Sequence, residues 1–580
     1  MKTLYDIPSG KSGHNAAFEQ AIRQLAVPVC RVFGSAAQPA PVRFKASAQT
    51  LSTKDSAQVS KFFPNTVKAS GSKVLEAAAG AADVPQGQGK RVAVLFSGGP
   101  ASGGHNVVCG LKRILGAGNT LLGVRPGPKG LLKGNLFEIS DRDVDAIINT
   151  GGFDFLGTDR TKIKTPEQFA QVKATCVKHN LDAIVVIGGD DSNTNAAVLA
   201  EFLYAGVKPD GSGVQVIGVP KTIDGDLQVG ALLPISFGFD TATKIYAEMV
   251  GNILQDTRSS LKYWHFVKLM GRSASHVTLE VALQTQPAIA LISEEIAEKK
   301  QSLSSIVGQI AQAVVKRAEQ GIHHGVVIIP EGVIEFIPEM HVLIAELNDV
   351  LACHADDFAK LDKAERPAFI GSRLSPDNAR LLASLPGYVV DMLLAERDSH
   401  GNLQVSLIPT EQLLIDMTAR ALQEMSAKVP FATMNHFFGY EGRCGAPTLF
   451  DAAYTFNLGL TAGSLILDGR TGYMATITDL TKGGAPKAIP LPNLRYLSNV
   501  EAVDSVVING QHRLLLMGDE GERTRRPCAI SWRTARPGRK RISLLLPDHA
   551  SFGGRLPCSS RYRWRSIPAP TAWLSKSADC

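Results

Sequence analysis

The sequence predicts an α/β fold, because short apolar runs alternate along it with longer helical patterns. The apolar runs are bounded by glycine or polar residues, as is typical of strands buried on both faces of a sheet, and they occur at 91–96, 183–187, 215–219 and 325–330. Stretches with helical spacing lie between or beside them, at 166–179, 195–204, 240–254 and 302–320. Strands that alternate with helices of this length form βαβ units, so we expect parallel sheets covered on both faces.

Residues 1–88 differ in composition from the rest and are predicted to form an N-terminal extension. A candidate amphipathic helix at 15–25 is followed by sequence rich in Ala, Ser, Lys and Gln, which ends in a Gly- and Gln-rich stretch at 84–90. An organelle transit segment stays open as an alternative for this region. The buried-strand pattern begins at Arg91, so the main fold is expected to start near residue 89.

The formal net charge of +7 is unevenly distributed. Residues 521–580 hold 13 Lys and Arg against 3 Asp and Glu, so the remaining 520 residues carry a net charge of −3. A nucleic-acid-binding function of the whole chain therefore has no support, and no nucleic acid is expected among the partners. For 521–580 two interpretations stay open, a basic atypical tail and an aberrant reading frame, whereas a nucleic-acid module lacks the zinc-ligand spacing it would need.

The hydrophobic pattern and the cysteines predict a cytoplasmic protein. No apolar run reaches the ~20 residues that a membrane-spanning helix needs, so no membrane is expected as a partner. Outside the tail, the cysteines lie far apart and form no Cys-x-x-Cys motif: Cys30, Cys109, Cys176, Cys353 and Cys444. Scattered thiols of this kind are typical of reduced residues in a cytosolic compartment.

Ligands of open α/β sheets bind at the carboxyl ends of strands, so the loops that follow the predicted strands are the candidate site. The loop at 96–106 contains Ser97, Gly98, Gly99 and Pro100, followed by a second pair of glycines. Closely spaced glycines allow backbone N–H groups to approach an anion at a helix N-terminus. The loop is not a Walker A motif, and a tight turn between strand and helix is the alternative explanation.

Two further loops place carboxylates at strand ends. In 187–195, Asp190 and Asp191 are adjacent. Asp190 is a candidate ligand of Mg²⁺, and the alternative is that Asp191 or Ser192 merely caps the helix. In 219–226, Lys221 and two carboxylates converge on a turn. A carboxylate there suits the proton of an attacking alcohol, and Lys221 suits developing phosphate charge; a solvated polar turn is the alternative.

Three shorter motifs add cations and a carboxylate, at 268–272, 330–332 and 440–443. Arg272 precedes a predicted helix at 273–283, where its guanidinium suits an anion. Arginine is the residue best shaped to hold phosphate oxygens in two places, although each motif alone is more often a surface ion pair. Together the loops supply what an enzyme needs to move a phosphoryl group onto a phosphorylated acceptor.

Six motifs resemble those of the phosphofructokinase family in order and spacing: Ser-Gly-Gly-Pro at 97–100, Gly-Gly-Asp-Asp-Ser at 188–192, Pro-Lys-Thr-Ile-Asp-Gly-Asp at 220–226, Met-Gly-Arg at 270–272, Pro-Glu-Gly at 330–332 and Tyr-Glu-Gly-Arg at 440–443. Any one of them is modest support, but six in order are specific. Over about 90–510 the chain resembles in particular the long, pyrophosphate-dependent 6-phosphofructokinases of the plant beta type.

The resemblance implies two Rossmann-like lobes with parallel sheets that face a cleft, together with a helical insertion and irregular extensions. The expected regions are an N-terminal extension at 1–88, a donor-binding lobe at 89–230 that about 445–480 completes, a sugar-phosphate lobe at 231–340 that about 425–444 completes, a mainly helical insertion at 341–424, a C-terminal segment at 481–520 and the basic tail at 521–580.

The resemblance also implies a reversible, Mg²⁺-dependent transfer from diphosphate to fructose 6-phosphate, giving fructose 1,6-bisphosphate and phosphate. Asp224 would act as general base on the sugar's 1-hydroxyl, with Thr222 and Asp226 nearby. Asp191 and Lys221 are the other implied catalytic residues, and Asp190 would bind the metal. The backbone N–H groups of Gly98 and Gly99 would hold diphosphate. The residues implied for the sugar phosphate are Thr222, Ile223, Asp224, Lys262, Tyr263, Met270, Gly271, Arg272, Glu331, Tyr440, Glu441, Gly442 and Arg443.

Asp191 and Lys221 predict diphosphate rather than ATP as the donor. ATP-using relatives have glycine at both positions, which leaves room for the α-phosphate and adenosine. A carboxylate at 191 fills that space and repels a phosphate by about 1 kcal/mol in water at ~4 Å, and by more when partly buried. Lys221 would supply positive charge to a small donor that has no adenosine to anchor it.

Lys262 and Tyr263 match a segment that reaches a neighbouring subunit's site in the family. A homo-oligomer, dimer or larger, or a hetero-oligomer with a regulatory subunit, is therefore expected. Two other functions compete: an ATP-dependent 6-phosphofructokinase and a non-catalytic regulatory subunit. The region beyond about 515 does not resemble the family's C-terminal segment, and Ser102 stands where the family often has proline.

Overall fold

The computed structural model describes residues 21–51, 56–78, 84, 89–395 and 407–493. Most of the predicted helix at 15–25 and the whole tail at 521–580 lie outside these ranges. The strands are β1 Phe44–Thr50, β2 Lys73–Ala77, β3 Arg91–Ser97, β4 Thr120–Val124, β5 Leu136–Glu138, β6 Thr158–Asp159, β7 Ala183–Gly188, β8 Gln215–Thr222, β9 Phe237–Gly238, β10 Tyr263–Leu269, β11 Ile289–Ala290, β12 Gly325–Pro330, β13 Ala432–Phe438, β14 Tyr473–Thr478 and β15 Ala485–Pro490.

Helices separate most of these strands, and an uninterrupted run of helices lies between β12 and β13 in the described part of the chain. They are α1 Ser56–Phe62, α2 Pro64–Ser70, α3 Gly104–Leu115, α4 Gly127–Lys133, α5 Asp141–Ile147, α6 Pro166–Lys178, α7 Asp190–Phe202, α8 Phe239–Ser260, α9 His276–Thr285, α10 Ser293–Glu298, α11 Leu303–Ala318, α12 Val333–Phe336, α13 Pro338–Cys353, α14 Ala355–Ala359, α15 Arg366–Gly371, α16 Pro376–Ser384, α17 Gly387–Leu393, α18 Thr410–Glu424, α19 Tyr440–Cys444 and α20 Leu449–Leu467.

The strands form two sheets, each with parallel neighbours at its centre. In the larger sheet β14, β8, β7, β3 and β4 lie side by side in parallel. Antiparallel strands extend it at both ends, with β5 beside β4, and β15, β2 and β1 beyond β14. The smaller sheet has the order β11–β12–β10–β13 and is parallel. The predicted α/β fold is confirmed, and the larger sheet is mixed, as is common where antiparallel strands close the edges of a parallel sheet.

The centre of each sheet is buried on both faces, as the continuous apolar runs predict. In β3, Val92, Val94 and Phe96 belong to one apolar cluster, whereas Ala93 and Leu95 belong to another on the opposite face. This alternation follows from the two-residue period of a strand. The carboxyl ends of such strands remain the places where polar side chains collect.

The N-terminal region contains two strands that the sequence does not reveal. Residues 1–88 were expected to be irregular, yet β1 and β2 pair with each other and β2 pairs with β15. In β1 only Phe44 is buried, because the strand lies at the end of the sheet. A strand with one buried residue lacks the apolar run that identifies the central strands.

Helix α7 begins five residues earlier than the predicted helix at 195–204. Gly189 is its N-cap, and the side-chain amide of Asn193 donates to the carbonyl oxygens of Gly188 and Gly189. The first turn is entirely polar, which hides the helical period, but carboxylates are favourable at this end of a helix. Asp190 and Asp191 therefore lie in the first helical turn rather than in a loop.

Glycines allow α3 and α20 to approach each other closely. A Cβ on Gly110 would lie 2.2 Å from the carbonyl oxygen of Phe456, and one on Gly459 would lie 2.2 Å from that of Val107. Both obstacles are backbone atoms within helices, so neither helix can accommodate a methyl group without moving. Helix α3 follows the glycine loop at 97–104, so this contact also holds that loop in place.

Replacing Gly110 with alanine is expected to destabilise the protein by about 1–3 kcal/mol through overpacking. Gly308 in α11 provides a matched control, since nothing lies within 4 Å of the position its Cβ would take. Gly308→Ala should instead stabilise by about 0.5–1 kcal/mol, because alanine is the better helix former. Thermal unfolding of both variants checks this, and equal shifts in Tm would contradict it.

Among the described strands, the chain passes between the two sheets twice. Helix α8 leads from β9, which pairs with β8, to β10 of the smaller sheet. The segment containing α19 and α20 leads from β13 back to β14 of the larger sheet. The described part of 341–424 contains helices and no strand. The domain boundaries themselves stay a prediction.

Candidate functional site

The glycine loop is held by its neighbours through backbone atoms. The N–H of Gly98 donates to the carbonyl oxygen of Asp159 at 3.0 Å, and the Thr158 hydroxyl donates to the carbonyl oxygen of Gly98 at 2.7 Å. Gly98 has a φ of +85°, which favours glycine. In this structure the Gly98 amide is engaged within the fold, and its role in holding diphosphate stays a prediction. A Cβ here would lie 3.4 Å from the Lys221 Nζ, so glycine leaves that cation room.

Lys221 is buried at the end of β8 and faces the glycine loop. Its Nζ donates to the carbonyl oxygen of Gly99 at 2.6 Å. Burial, and next the charge of Arg443, lower the pKa of Lys221 to about 7. The amine therefore titrates near neutral pH. An anion bound beside it would favour its protonated, charged form.

Asp224 and Asp226 lie near Lys221, and the charge of a third carboxylate, Asp190, acts on Asp226. The backbone N–H of Asp224 donates to the Thr222 hydroxyl at 3.1 Å, and that hydroxyl donates to Asp226 Oδ1 at 3.3 Å. Burial, then the charge of Asp224 and to a smaller extent that of Asp190, raise the pKa of Asp226 to about 7. The Oδ1 atom of Asp224 is buried without a hydrogen-bond partner in the structure. This concentration of negative charge favours a cation or a proton at the same place.

Asp191 lies at the mouth of this region, not inside it. Its side chain is 71% exposed, and its Oδ1 lies 3.6 Å from the Nζ of Lys162. Ser192, the next residue, donates its hydroxyl hydrogen to the Ser97 hydroxyl at 2.8 Å, which ties the helix start to the glycine loop. The role of Asp191 in donor choice stays a prediction.

Residues of the smaller sheet approach the carboxylates from the other side. The backbone N–H of Arg272 lies 3.4 Å from Asp224 Oδ2 and donates to it. The N–H of Gly271 donates to Glu331 Oε2 at 3.1 Å, and burial, followed by the charge of Asp224, raises the pKa of Glu331. The Arg272 side chain lies 3.7 Å from Glu335 and is partly exposed. The loops after β8, β10 and β12 therefore meet at Asp224.

Arg443, at the end of α19, connects the two sides of the site. Its Nε lies 3.0 Å from the Met270 sulfur, and its Nη1 donates to the carbonyl oxygen of Pro100 at 3.4 Å. Its Nη2 lies 3.8 Å from Asp224 Oδ1, and both side chains are largely buried. A Cβ on Gly99 would lie 3.3 Å from Nη1. One guanidinium thus contacts the glycine loop, the carboxylate and the smaller sheet.

Other predicted site residues lie outside this cluster or act through packing. Lys262 and Tyr263 lie at the start of β10, at the opposite end of the strand from Met270, and the Lys262 Nζ lies 4.7 Å from the Tyr263 ring centroid. The Ile223 side chain is buried in the apolar core, so it is not available to a ligand.

The residues of the motif at 440–443 also differ in their surroundings. The Tyr440 residue is 57% exposed. Glu441 accepts from the backbone N–H of Gly439 at 2.7 Å, and a Cβ on Gly442 would lie 2.4 Å from the Tyr246 ring. These contacts shape α19 and so place Arg443, whereas the exposed phenol stays a predicted ligand.

Two cations and a histidine near the cluster are not apparent from the sequence. Arg160 Nη2 lies 3.8 Å from the position of a Cβ on Gly99, and the charge of Arg160 lowers the pKa of Lys221. Lys162 contacts Asp191. His276 is buried, with its Nδ1 3.0 Å from the carbonyl oxygen of Gly225. Arg160 and Lys162 follow β6, which has only two residues and so gives no strand pattern. The polar run at 158–162 is the sequence signal that could have identified this loop as part of the site.

The described residues show neither a preformed metal site nor a membrane-spanning helix. In the ranges that the structure describes, no group of three or more His, Cys, Asp and Glu side chains is arranged to hold a metal ion. Within those same ranges, none of the helices combines the length and the hydrophobicity that a bilayer crossing requires.

Comparison with known proteins places the chain in one family. Residues 91–466 match the family described as Phosphofructokinase. The chain is 49% identical over 426 residues to the pyrophosphate–fructose 6-phosphate 1-phosphotransferase of Treponema pallidum, covering 72% of this chain and 73% of the relative. It is 47% identical to subunit beta 2 of the same-named transferase of Arabidopsis thaliana, covering 69% of each chain.

One solved structure agrees on the fold. The structure of phosphofructokinase from Saccharomyces cerevisiae aligns with a TM-score of 0.50 and 18% sequence identity, covering 72% of this chain and 47% of that one. The family match spans strands β3 to β9 of the larger sheet, the whole smaller sheet and every loop of the cluster around Asp224. The chain belongs to the phosphofructokinase family.

Proposed function

We propose that this protein is a diphosphate-dependent 6-phosphofructokinase that transfers a phosphoryl group from diphosphate to the 1-hydroxyl of fructose 6-phosphate. The observation that carries the proposal is the convergence of Lys221, Asp224 and Arg443 between the glycine loop and the smaller sheet. The relatives at 47–49% identity carry this activity in their names.

The transfer follows from the roles of these three side chains. The sugar's 1-hydroxyl oxygen forms a bond to one phosphorus of diphosphate, while the bond from that phosphorus to the bridging oxygen breaks. Asp224, whose Oδ1 has no hydrogen-bond partner in the structure, takes the hydroxyl proton, and phosphate leaves. Lys221 and Arg443 offset the charge that spreads over the transferred oxygens, so positioning and cations supply most of the acceleration. The reverse reaction uses the same groups.

Mg²⁺ is the proposed metal, with Asp190 as its predicted ligand. The residues present fit a hard cation, because carboxylate oxygens are its preferred ligands and the charges of Asp224 and Asp190 both raise the pKa of the buried Asp226. Since no set of three or more described side chains is arranged to hold a metal alone, phosphate oxygens and water would complete its shell. When bound, the ion would offset negative charge on the phosphates.

Sugar-phosphate binding is proposed for the side of the site formed by the smaller sheet. Arg272 and Arg443 offer the cations, Met270 packs against the Arg443 guanidinium, and Glu331 fixes the backbone at Gly271. Glu331 is buried, so its carboxylate also suits a sugar hydroxyl.

The donor is the sharpest test of this proposal. We expect the purified chain to turn over fructose 6-phosphate with diphosphate and far more slowly with ATP. The Lys221 Nζ occupies the space beside Gly98, and the exposed carboxylate of Asp191 would repel the additional phosphate of ATP. Steady-state assays with each donor measure this, and faster turnover with ATP would refute it. Asp191→Gly combined with Lys221→Gly should weaken diphosphate use. No turnover with either donor by the chain alone would favour the regulatory-subunit alternative.

A second copy of the chain is the proposed partner in assembly. Strand β13 ends the order of the smaller sheet, and Met434 and Phe437 are exposed along it. An exposed edge strand with apolar side chains is typical of an interface. Because Lys262 and Tyr263 lie far from their own cluster, they suit a neighbouring subunit's site. Light scattering tests this, and a fully active monomer would contradict it. A cytoplasmic location likewise stays a prediction.

A further inference from the structure

The two helices that carry the chain between the sheets begin at the same place. Helix α8 starts after Gly238, and α20 starts after Thr448, its N-cap. Each helix has one buried aspartate in its first turn, Asp240 in α8 and Asp451 in α20. The junction of the two crossings is therefore polar and lies in the interior.

Each aspartate accepts hydrogen bonds from the other helix or its approach. Asp451 accepts from the N–H of Gly238 at 3.0 Å, from the N–H of Thr241 at 2.9 Å and from the Thr241 hydroxyl at 2.6 Å. Asp240 accepts from the Thr448 hydroxyl at 2.5 Å and from the Lys244 Nζ at 2.6 Å. The N–H of Thr448 donates to the Thr241 hydroxyl oxygen at 3.0 Å. The start of each helix is thus capped by the other.

Burying two carboxylates costs free energy, so we expect this junction to have a role beyond packing. Both carboxylates are fully buried, and burial together with the charge of Asp240 raises the pKa of Asp451. Apolar side chains would hold two helices together without that cost, but they would accept several crossing geometries. Hydrogen bonds are directional, so the bonds from two helices to two carboxylates allow far fewer crossing geometries.

The junction is connected directly to both sides of the catalytic cluster. Gly238, which donates to Asp451, pairs with Thr222 in the β8–β9 ladder, and Phe237 pairs with Lys221. On the other side, Thr448 follows Arg443 by five residues. A Cβ on Gly103, in the glycine loop, would lie 3.3 Å from the carbonyl oxygen of Asp451.

We propose that the Asp240–Asp451 junction is a positioning element that sets the donor-side Lys221 and Asp224 against the acceptor-side Arg443 at the distance that phosphoryl transfer requires. The inference rests on the proposed function. It assigns no contact with substrate to either aspartate. Its consequence is that the junction governs the rate of transfer between two bound substrates, while each substrate is still held by its own group of side chains.

The Thr241 hydroxyl offers the most selective test, because Thr241→Val removes it while keeping the side-chain shape, and Thr241→Ser keeps it. We expect Thr241→Val to lower kcat about tenfold, since small misplacements of reacting groups cost this much or more. The dissociation constants of fructose 6-phosphate and of methylenediphosphonate, a diphosphate analogue that cannot be transferred, should change less than about twofold. Thr241→Ser should retain kcat within about twofold of the parent chain.

A destabilised variant elsewhere in the fold distinguishes a loss of positioning at the junction from a general loss of stability. Leu382→Ala creates a cavity in α16 of the helical region, far along the chain from the junction, and should lower Tm without changing kcat. Hydrogen exchange provides a readout that does not depend on turnover: the segment 218–226 should exchange faster in Thr241→Val but not in Leu382→Ala. If the parent chain shows no turnover, the proposed function fails while the exchange experiment still tests the junction. Unchanged kcat and exchange in Thr241→Val, or a loss of substrate affinity equal to the loss of kcat, would overturn the inference.

Discussion

Asp224→Asn is expected to lower kcat by about 10²–10⁴, the usual contribution of a positioned general base. Asparagine keeps the size of the side chain and can still accept from the N–H of Arg272, but it cannot take the proton of the sugar's 1-hydroxyl. The KM values for both substrates should change little, because Asp224 acts on the attacking oxygen rather than on either phosphate group. Steady-state kinetics in the direction of fructose 1,6-bisphosphate formation, and in reverse, measure the loss.

The control for this variant is Asp210→Asn, which makes the same chemical change on the exposed surface and should leave kcat unaltered. The loss in Asp224→Asn should appear equally in both directions, because the same group that takes the proton must return it. A kcat within threefold of the parent chain would remove Asp224 from its proposed role. Asp226, whose pKa is raised by burial and by Asp224, would then be the next candidate for the base.

Lys221→Met is expected to lower kcat/KM for diphosphate by about 10²–10³, the range seen when a preorganised electrostatic partner is lost from an active site. Methionine keeps the length of the side chain but removes both the charge and the hydrogen bond to the carbonyl oxygen of Gly99. The KM for fructose 6-phosphate should change much less, since Lys221 lies on the side of the glycine loop.

The pH dependence of the same variant isolates the charge of Lys221. Burial, and then Arg443, lower the pKa of this amine to about 7, so it is protonated below pH 7 and loses its charge as pH rises. The kcat/KM for diphosphate in the parent chain should therefore fall as pH rises through about 7. Diphosphate itself ionises, but that effect is common to both proteins, so the ratio of parent to variant isolates the amine. A ratio independent of pH between 6 and 8.5 would contradict the assignment.

The apolar runs at 91–96, 183–187, 215–219 and 325–330 all form parallel strands, and each is followed by an unusual loop, whereas the parallel strands β4, β13 and β14 are not predicted. The same feature explains why the loops at 97–100, 188–192 and 220–226 could be identified, and the structure brings them together. Helix α7 starts earlier than expected because its first turn is polar throughout. Strand β1 is missed because it buries one residue. Arg160 is missed because it follows a strand of only two residues.

Other features of the site depend on distances that no local pattern contains. The engagement of the Gly98 amide by Asp159 requires knowing that β6 lies beside β3. The two buried aspartates at the junction of α8 and α20 are more than 200 positions apart in the chain, so neither reveals the other. Arg443 could be named as a phosphate ligand from its motif, but its contact with Pro100 follows only from the return of the chain to the larger sheet.

The pairing of β2 with β15 has a consequence for how the protein can be shortened. Glu76 and Lys487 lie 2.9 Å apart across that ladder, and Val74 and Leu75 are buried under it. Because 1–88 is predicted to be an extension, a truncation before residue 89 is an obvious choice. That truncation would remove β2 and leave backbone donors and acceptors of β15 without their hydrogen-bond partners. Such a truncated protein would be prone to associate through that exposed ladder even though every residue of the catalytic cluster is retained.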